Sequence, residues 1–353
     1  MGGTGISSAN DTNALHFNPV TMANVGTPII DIFSVEADFN PSGKALQELV
    51  DTEYQFDRNV LVITEPNREQ YLELLETVEN SHVYLRGKIQ SSVIWNFGRK
   101  GWALGVTNTT DYLSNSFTDA SPDYTTDLTV SNTRTVVGGI SIPIPYTYGA
   151  VVLGASIKNV YRTSKTSNFN TEEARSSSDE YFSLADGSVD TMRLYDFGVM
   201  VRIPGSLRFR FAVAARNYGG PKVITHTETN EEIAIGVSFV PVAYRYFFGG
   251  IRLTLAFDYR DVTENSTVAT DNDVNKRLHF GTEVSFFPTK MTYGFLSLRA
   301  GSNQGNATYG AEFNIGTGRT IILGYANYTE NIGDNNTPQT DTRQMYYASV
   351  GLF

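Results

Sequence analysis

Cysteine is missing from this 353-residue chain. That excludes a disulfide framework, thiolate metal ligands and a cysteine nucleophile. Histidine is scarce: His16, His82, His226 and His279 lie far apart, and no pair has ligand spacing. No metal and no cofactor are expected. Basic charge is short, with 27 Lys+Arg against 37 Asp+Glu and a formal net charge of -10, which argues against a nucleic-acid partner. The acidic clusters Glu172-Glu173, Asp179-Glu180 and Asp271-Asn272-Asp273 complete no calcium loop and read as solvated loops. Enzyme motifs are also missing. No Gly-x-Ser-x-Gly elbow occurs, and Gly2-Gly3-Thr4-Gly5 lacks the Gly-Lys-Ser/Thr that completes a phosphate loop, so no catalysis is expected. Long apolar runs are absent as well. A membrane helix needs about 20 apolar residues, so none is expected here.

A mean hydropathy of -0.22 on its own suits a soluble protein. What is present says otherwise. Tyr (20), Phe (21) and Gly (31) are plentiful, and charge is only 18%. Period-two alternation recurs along the chain, the mark of strands with two unlike faces. Leu207, Phe209, Phe211, Val213 and Ala215 alternate with Arg208, Arg210, Ala212, Ala214 and Arg216. Ile251, Leu253, Leu255, Phe257 and Tyr259 alternate with Arg252, Thr254, Ala256, Asp258 and Arg260. Such alternation predicts fourteen strands, near 29–39, 84–97, 101–113, 127–144, 148–162, 190–203, 206–218, 231–243, 249–262, 275–288, 292–302, 306–316, 319–329 and 342–353. Most exceed the roughly 5–6 residues of an ordinary strand and match the about 9–11 of a tilted membrane strand.

The connections alternate between short and long. Short ones carry turn residues: 98–101, Pro143-Ile144-Pro145, Pro204-Gly205, 288–290 and 316–318. The longer ones, at 114–126, 163–189, 219–230, 263–274 and 330–341, are polar, with Ser302–Gly305 as the brief exception. Short turns on one rim and long loops on the other is the arrangement of an outer-membrane barrel. Two regions depart from it. Residues 1–28 are polar and rich in Gly and Asn, and 40–83 reads as a helical insertion with Leu72, Leu75 and Val78 on one face.

The last ten residues, Gln344 to Phe353, alternate to the end and close on an aromatic. They resemble the C-terminal strand of bacterial outer-membrane barrels, and the resemblance makes Phe353 part of an assembly signal read by the barrel-assembly machinery. The opening Met1-Gly2-Gly3-Thr4-Gly5 through Ala9-Asn10-Asp11 to Asn18-Pro19-Val20 resembles the mature start of the FadL superfamily, with Val where Ala is usual. The insertion after strand 1 is most similar to the TraF-like, plasmid-transfer branch. The resemblance implies a single domain over 1–353: a 14-stranded antiparallel transmembrane β-barrel, plugged by 1–28 as a hatch in the lumen and carrying 40–83 at the extracellular mouth. It also implies a Gram-negative outer membrane, both termini periplasmic, and a signal peptide removed before Met1, where no basic n-region or apolar h-region stands.

Candidate functional residues follow. Asn18, Pro19 and Val20 form a rigid turn and, by the resemblance, a gate in the hatch. Arg202, Arg208, Arg210, Arg216, Arg252, Asp258, Arg260, Arg277, Glu283 and Arg299 face inward by parity. They read as a salt-bridge network that fills the lumen, or in part as a holder of a ligand carboxylate. Tyr71, Leu72, Leu75 and Val78 read as a helix face packed on the rim, or as an apolar groove that captures a greasy ligand. The resemblance implies passive uptake of small hydrophobic, fatty-acid-like molecules. The competing reading is a structural barrel that docks parts of a secretion or conjugation apparatus. Expected partners are outer-membrane lipid or lipopolysaccharide and a hydrophobic ligand or detergent, around a monomer. A barrel of this kind should migrate differently on SDS gels before and after boiling and should need detergent for extraction; a chain that stays dissolved without detergent overturns the membrane reading.

Overall fold

The computed structural model describes residues 3–9, 13–25, 28–42, 44, 82–97, 102–118, 126–169, 184, 186–220, 231–246, 249–263, 274–287, 295–315, 321–332 and 340–352. Fourteen antiparallel strands close into one barrel. They are β1 (Ile29–Phe39), β2 (Val83–Phe97), β3 (Trp102–Thr118), β4 (Thr126–Tyr146), β5 (Gly149–Phe169), β6 (Ser188–Ile203), β7 (Phe209–Tyr218), β8 (Glu232–Tyr246), β9 (Gly249–Tyr259), β10 (Leu278–Phe287), β11 (Leu296–Asn303), β12 (Asn306–Ile315), β13 (Ile321–Asn331) and β14 (Thr340–Leu352). Each strand pairs with its sequence neighbours. The ring is sealed by β1 against β14, from Ile30 opposite Leu352 to Phe39 opposite Gln344. The count and order agree with the alternation. Phe353, the groove residues Tyr71, Leu72, Leu75 and Val78, and most of the 40–83 insertion lie outside the described residues.

Several boundaries differ from expectation. Pro143 and Pro145 belong to β4, opposite Val152 and Ala150, and the turn falls at 147–148. Among the described residues the pairing of β3 with β4 ends at Ser141, so the prolines lie beyond it, where a missing N–H is tolerated. β7 starts at Phe209 rather than 206, and Arg208 turns the corner with φ 45. β4 and β5 each run 21 residues and take 163–169, expected as loop, into the wall. Paired backbone can extend beyond a membrane wherever both strands of a hairpin continue together, and composition does not mark that limit. The Gln304–Gly305 turn has φ 54 and φ 82, the primed hairpin geometry that a two-residue link requires.

The outer wall carries an apolar band. On β5 the outward series Val151, Leu153, Ala155, Ile157, Asn159, Tyr161 spans about 33 Å of strand, or about 25 Å of height at the usual barrel tilt, the height of a membrane barrel's apolar band. Aromatics edge it on both rims: Trp95, Phe97, Trp102 and Tyr148 on the short-turn side, Tyr161, Tyr218 and Tyr346 on the other.

Strand β1 needs one irregularity to keep its faces apart. Ile29 and Asp31 point in at odd numbers, whereas Ser34, Glu36 and Asp38 point in at even ones. A bulge between Asp31 and Ser34 absorbs the change by placing Ile32 and Phe33, 60% and 47% exposed, side by side on the outer wall. Deleting Ile32 should therefore leave every remaining side chain on its present face and the heat-modifiable barrel intact. Deleting Ala37 should force Glu36 or Asp38 outward, at up to about 2 kcal/mol depending on depth, and lower the folded fraction on unboiled gels.

Candidate functional site

The lumen is where the buried apolar residues lie. The N-terminal segment enters it as a short helix, α1 (Ala14–Phe17), and a 3₁₀ turn, Pro19–Asn24. One apolar cluster joins Ile6, Val20 and Ala23 to Val152, Met200, Ala212, Ala214 and Ala234 of the wall. A second joins Leu15, Met22 and Val25 to Ile29, Ile94, Ala103 and Val137. This close seating depends on small inward residues in β3 to β8. A Cβ at Gly105 would stand 2.7 Å from Leu15 and Met22, one at Gly139 2.7 Å from Leu15, and one at Gly154 2.6 Å from the Val20 nitrogen. Gly198 lies beneath Asn18, and Gly236 beneath Ile6. Mid-strand glycines usually weaken a sheet; here they mark a close backbone approach.

Hydrogen bonds fix the plug to the wall. The Asp258 carboxylate accepts from the Gly5 and Ile6 N–H groups at 2.6 and 2.9 Å. Arg260 donates to the Gly3 carbonyl and stacks over Phe17 at 5.4 Å. Arg202 donates to the Ala23 carbonyl at 3.1 Å, and Asn96 to that of Val25 at 2.7 Å. Asn18 works inside the plug: its side-chain oxygen accepts from Val20 N–H at 3.3 Å and its amide donates to Ile6 O at 3.0 Å. Pro19 opens the 3₁₀ turn, where its fixed φ and missing N–H cost nothing.

Between this plug and the wall from β9 through β14 to β2 lies a cavity of about 500 Å³. Its lining is strongly charged. Glu283 sits between Arg299 at 2.9 Å and Arg252 at 3.5 Å, and Arg299 reaches Glu312 at 2.8 Å. The Tyr347 hydroxyl donates to Glu312 at 2.8 Å and accepts from Arg299 at 2.9 Å. Toward the long-loop rim, Tyr328 donates to Asp38, Lys88 pairs with Glu36 at 3.6 Å, and Arg86 forms a bidentate pair with Asp111. Outside the cavity, Arg216 pairs with Glu232 at 3.1 Å. Arg277 is buried at 4% exposure in the 3₁₀ turn before β10. Buried charges compensated this way are strongly destabilising to unpair singly, at about 3–5 kcal/mol.

One corner is not compensated. Arg202 and Arg210 stand directly opposite each other on β6 and β7. The charges acting on Arg210 are those of Arg202, Arg252 and Arg208. Among the described residues, Arg208 and Arg210 make no ion pair with a carboxylate. Both line the cavity. The expected inward residues therefore divide four ways: Asp258, Arg202 and Arg260 hold the plug, Arg252, Glu283 and Arg299 form a paired ladder, Arg216 and Arg277 lie outside the cavity, and Arg208 and Arg210 are left facing the space. Glu312, Tyr347, Asp38 and Tyr328 escaped the sequence reading. The same parity rule, applied to strands 1 and 12 to 14, marks each of them as inward.

No protein-family model matches the chain, and no curated protein does. Solved structures do match. The fold is similar to that of the toluene transporter TbuX of Ralstonia pickettii, at 9% identity and TM-score 0.52, over 100% of this chain and 97% of that one. It is likewise similar to the toluene transporter TodX of P. putida, at 10% identity and TM-score 0.51, over 100% and 96%. A Pseudomonas aeruginosa FadL homologue aligns over 99% of this chain and 95% of its own, with 10% identity and TM-score 0.46. At this identity the likeness is one of fold. Within that fold, Asp258→Ala should free the Gly5 and Ile6 N–H groups at about 1–3 kcal/mol. Hydrogen exchange at residues 3–9 should accelerate while the wall strands stay protected; equal acceleration of both would show that the carboxylate holds the barrel rather than the plug.

Proposed function

We propose that this protein is a Gram-negative outer-membrane channel for passive passage of small hydrophobic molecules, with residues 3–25 as the hatch and both termini on the periplasmic side. The observation that carries this reading is the cavity of about 500 Å³ beside the plug, inside a barrel that shares its fold with two toluene transporters. The cavity's chemistry narrows the ligand. Arg208 and Arg210 present guanidinium groups without carboxylate partners, and such groups bind carboxylates through paired, charge-assisted hydrogen bonds. A pure hydrocarbon offers them nothing, whereas a fatty-acid-like amphiphile places its head there and leaves its tail for the apolar residues of the lining, Phe17, Val240 and Ile322. Gating is then displacement of the Asn18-Pro19-Val20 turn from its seat on Gly154 and Gly198.

A second reading is supported by that same seat. Ile6, Leu15, Val20 and Met22 are all 0% exposed, the packing of a permanent plug, and a permanently plugged barrel suits a docking element of a secretion or conjugation apparatus. Uptake separates the two. Proteoliposomes carrying the intact chain should accumulate a labelled long-chain fatty acid, and deletion of 3–25 should let small hydrophilic solutes leak as well. No uptake by the intact chain, together with a stoichiometric protein partner, would establish the docking role. Arg210→Ala should weaken fatty-acid binding about tenfold, the loss expected for one charge-assisted contact, and leave toluene uptake unchanged.

A further inference from the structure

The outer wall of the described strands carries charge at three positions only. On the outward parity of all fourteen strands the ionisable acids and bases are Arg134 on β4, Lys165 on β5 and Arg193 on β6. All three are basic, they occupy adjacent strands, and all lie in the half toward the long loops. No acidic residue of the described strands shares that face with Arg134 and Arg193. Charge on a lipid-facing wall is costly unless it sits at the interface and finds a partner there.

The height of the pair is set by the register. Arg134 stands opposite Tyr161, and Arg193 opposite Asn159. Below them run Ile157, Leu153 and Val151 on β5, and Tyr195, Phe197, Val199 and Val201 on β6. The arginines therefore stand at the upper edge of the apolar band of about 25 Å, level with Asn159 and Tyr161, from where their long side chains reach the lipid head groups. Two strand spacings and one two-residue step separate their Cα atoms, about 12 Å. Each guanidinium is steered by a neighbouring amide: Arg134 Nε donates to Asn108 Oδ1 at 3.3 Å, and Arg193 Nε to Asn159 Oδ1 at 3.2 Å. That leaves the terminal nitrogens of both exposed side chains to serve as forks, the geometry that suits a phosphate.

We propose that Arg134 and Arg193 form a binding site for the phosphate groups of a membrane lipid head group, on the outer wall of β4 to β6 in the leaflet facing the long loops. The proposal rests on the membrane reading above. A head group with two phosphates spans the pair best. Simple snorkelling of both side chains into water is the competing account.

Native mass spectrometry of the detergent-purified full chain tests it, with a bisphosphorylated glucosamine lipid, its dephosphorylated form and inorganic pyrophosphate as probes. The phosphorylated lipid should be retained, and the double variant Arg134→Ala/Arg193→Ala should lose about tenfold or more of that binding, as expected for two charge-assisted contacts. Arg134→Lys/Arg193→Lys should restore part of it, and added salt should weaken it. Equal retention by wild type and double variant, or equal binding of the dephosphorylated lipid, overturns the site and leaves snorkelling. Pyrophosphate that binds as tightly and displaces the lipid reduces it to a free-anion site and overturns the lipid assignment. Gel mobility before and after boiling and fatty-acid uptake, both measured on the same variant, should be unchanged; a wild-type chain that shows no heat-modifiable form refutes the membrane reading itself rather than this pair of residues.

Discussion

A wall placed in hydrocarbon must satisfy every backbone N–H and C=O within itself, because no water is available to accept or donate. Pairing β1 with β14 meets that demand by removing the last free edge. The rest of the molecule follows from the closure. A closed ring has an inside and an outside, so the period-two pleat becomes a division between two solvents. Residues that a soluble sheet would hide against a helix layer are instead displayed to lipid, and the polar set is turned onto itself. The low mean hydropathy and the absence of apolar runs are consequences of that division.

Turning polar residues inward creates a second problem: the lumen fills with charge that must be matched. Most of it is matched locally, across one strand pair. Glu283 and Arg299 are direct cross-strand neighbours, and Lys158 reaches Asp196 at 2.8 Å. Irregular backbone appears where such matching needs it. The bulge at Arg216-Asn217 lets the Asn217 N–H reach the Asp196 carboxylate at 2.8 Å, and the bulge in β1 keeps Asp31 inside, where Ser349 donates to it at 2.8 Å. Among the described residues Arg208 and Arg210 stand outside this matching, and both line the cavity.

The plug uses a different physical means. It is held less by charge than by proximity, through five inward glycines that let its backbone approach the wall, with Asp258 accepting the Gly5 and Ile6 N–H groups. A seat built from missing side chains grips only a segment of matching shape. Displacing it would expose apolar surface on both partners.

Much of the architecture was legible in the residues alone. Alternation in strands such as Phe209–Arg216 and Ile251–Tyr259 specified which face met lipid, because a one-residue slip would exchange the faces. The alternation of short and long connections specified the two rims. The limits of legibility are equally physical. Pro143 and Pro145 resemble a turn until their pairing with Val152 and Ala150 is known, and the length of β4 and β5 depends on two hairpin arms continuing together. The glycines of β3 to β8 look like weak points in strands until the hatch is laid over them. By itself the sequence determined the barrel, its strand count and the sign of each face, since these are set by local periodicity and by the backbone's need for partners. Tertiary structure decided which inward charges cancel, which two arginines remain, and where the plug seats, since these depend on contacts between residues far apart in the chain that no period records.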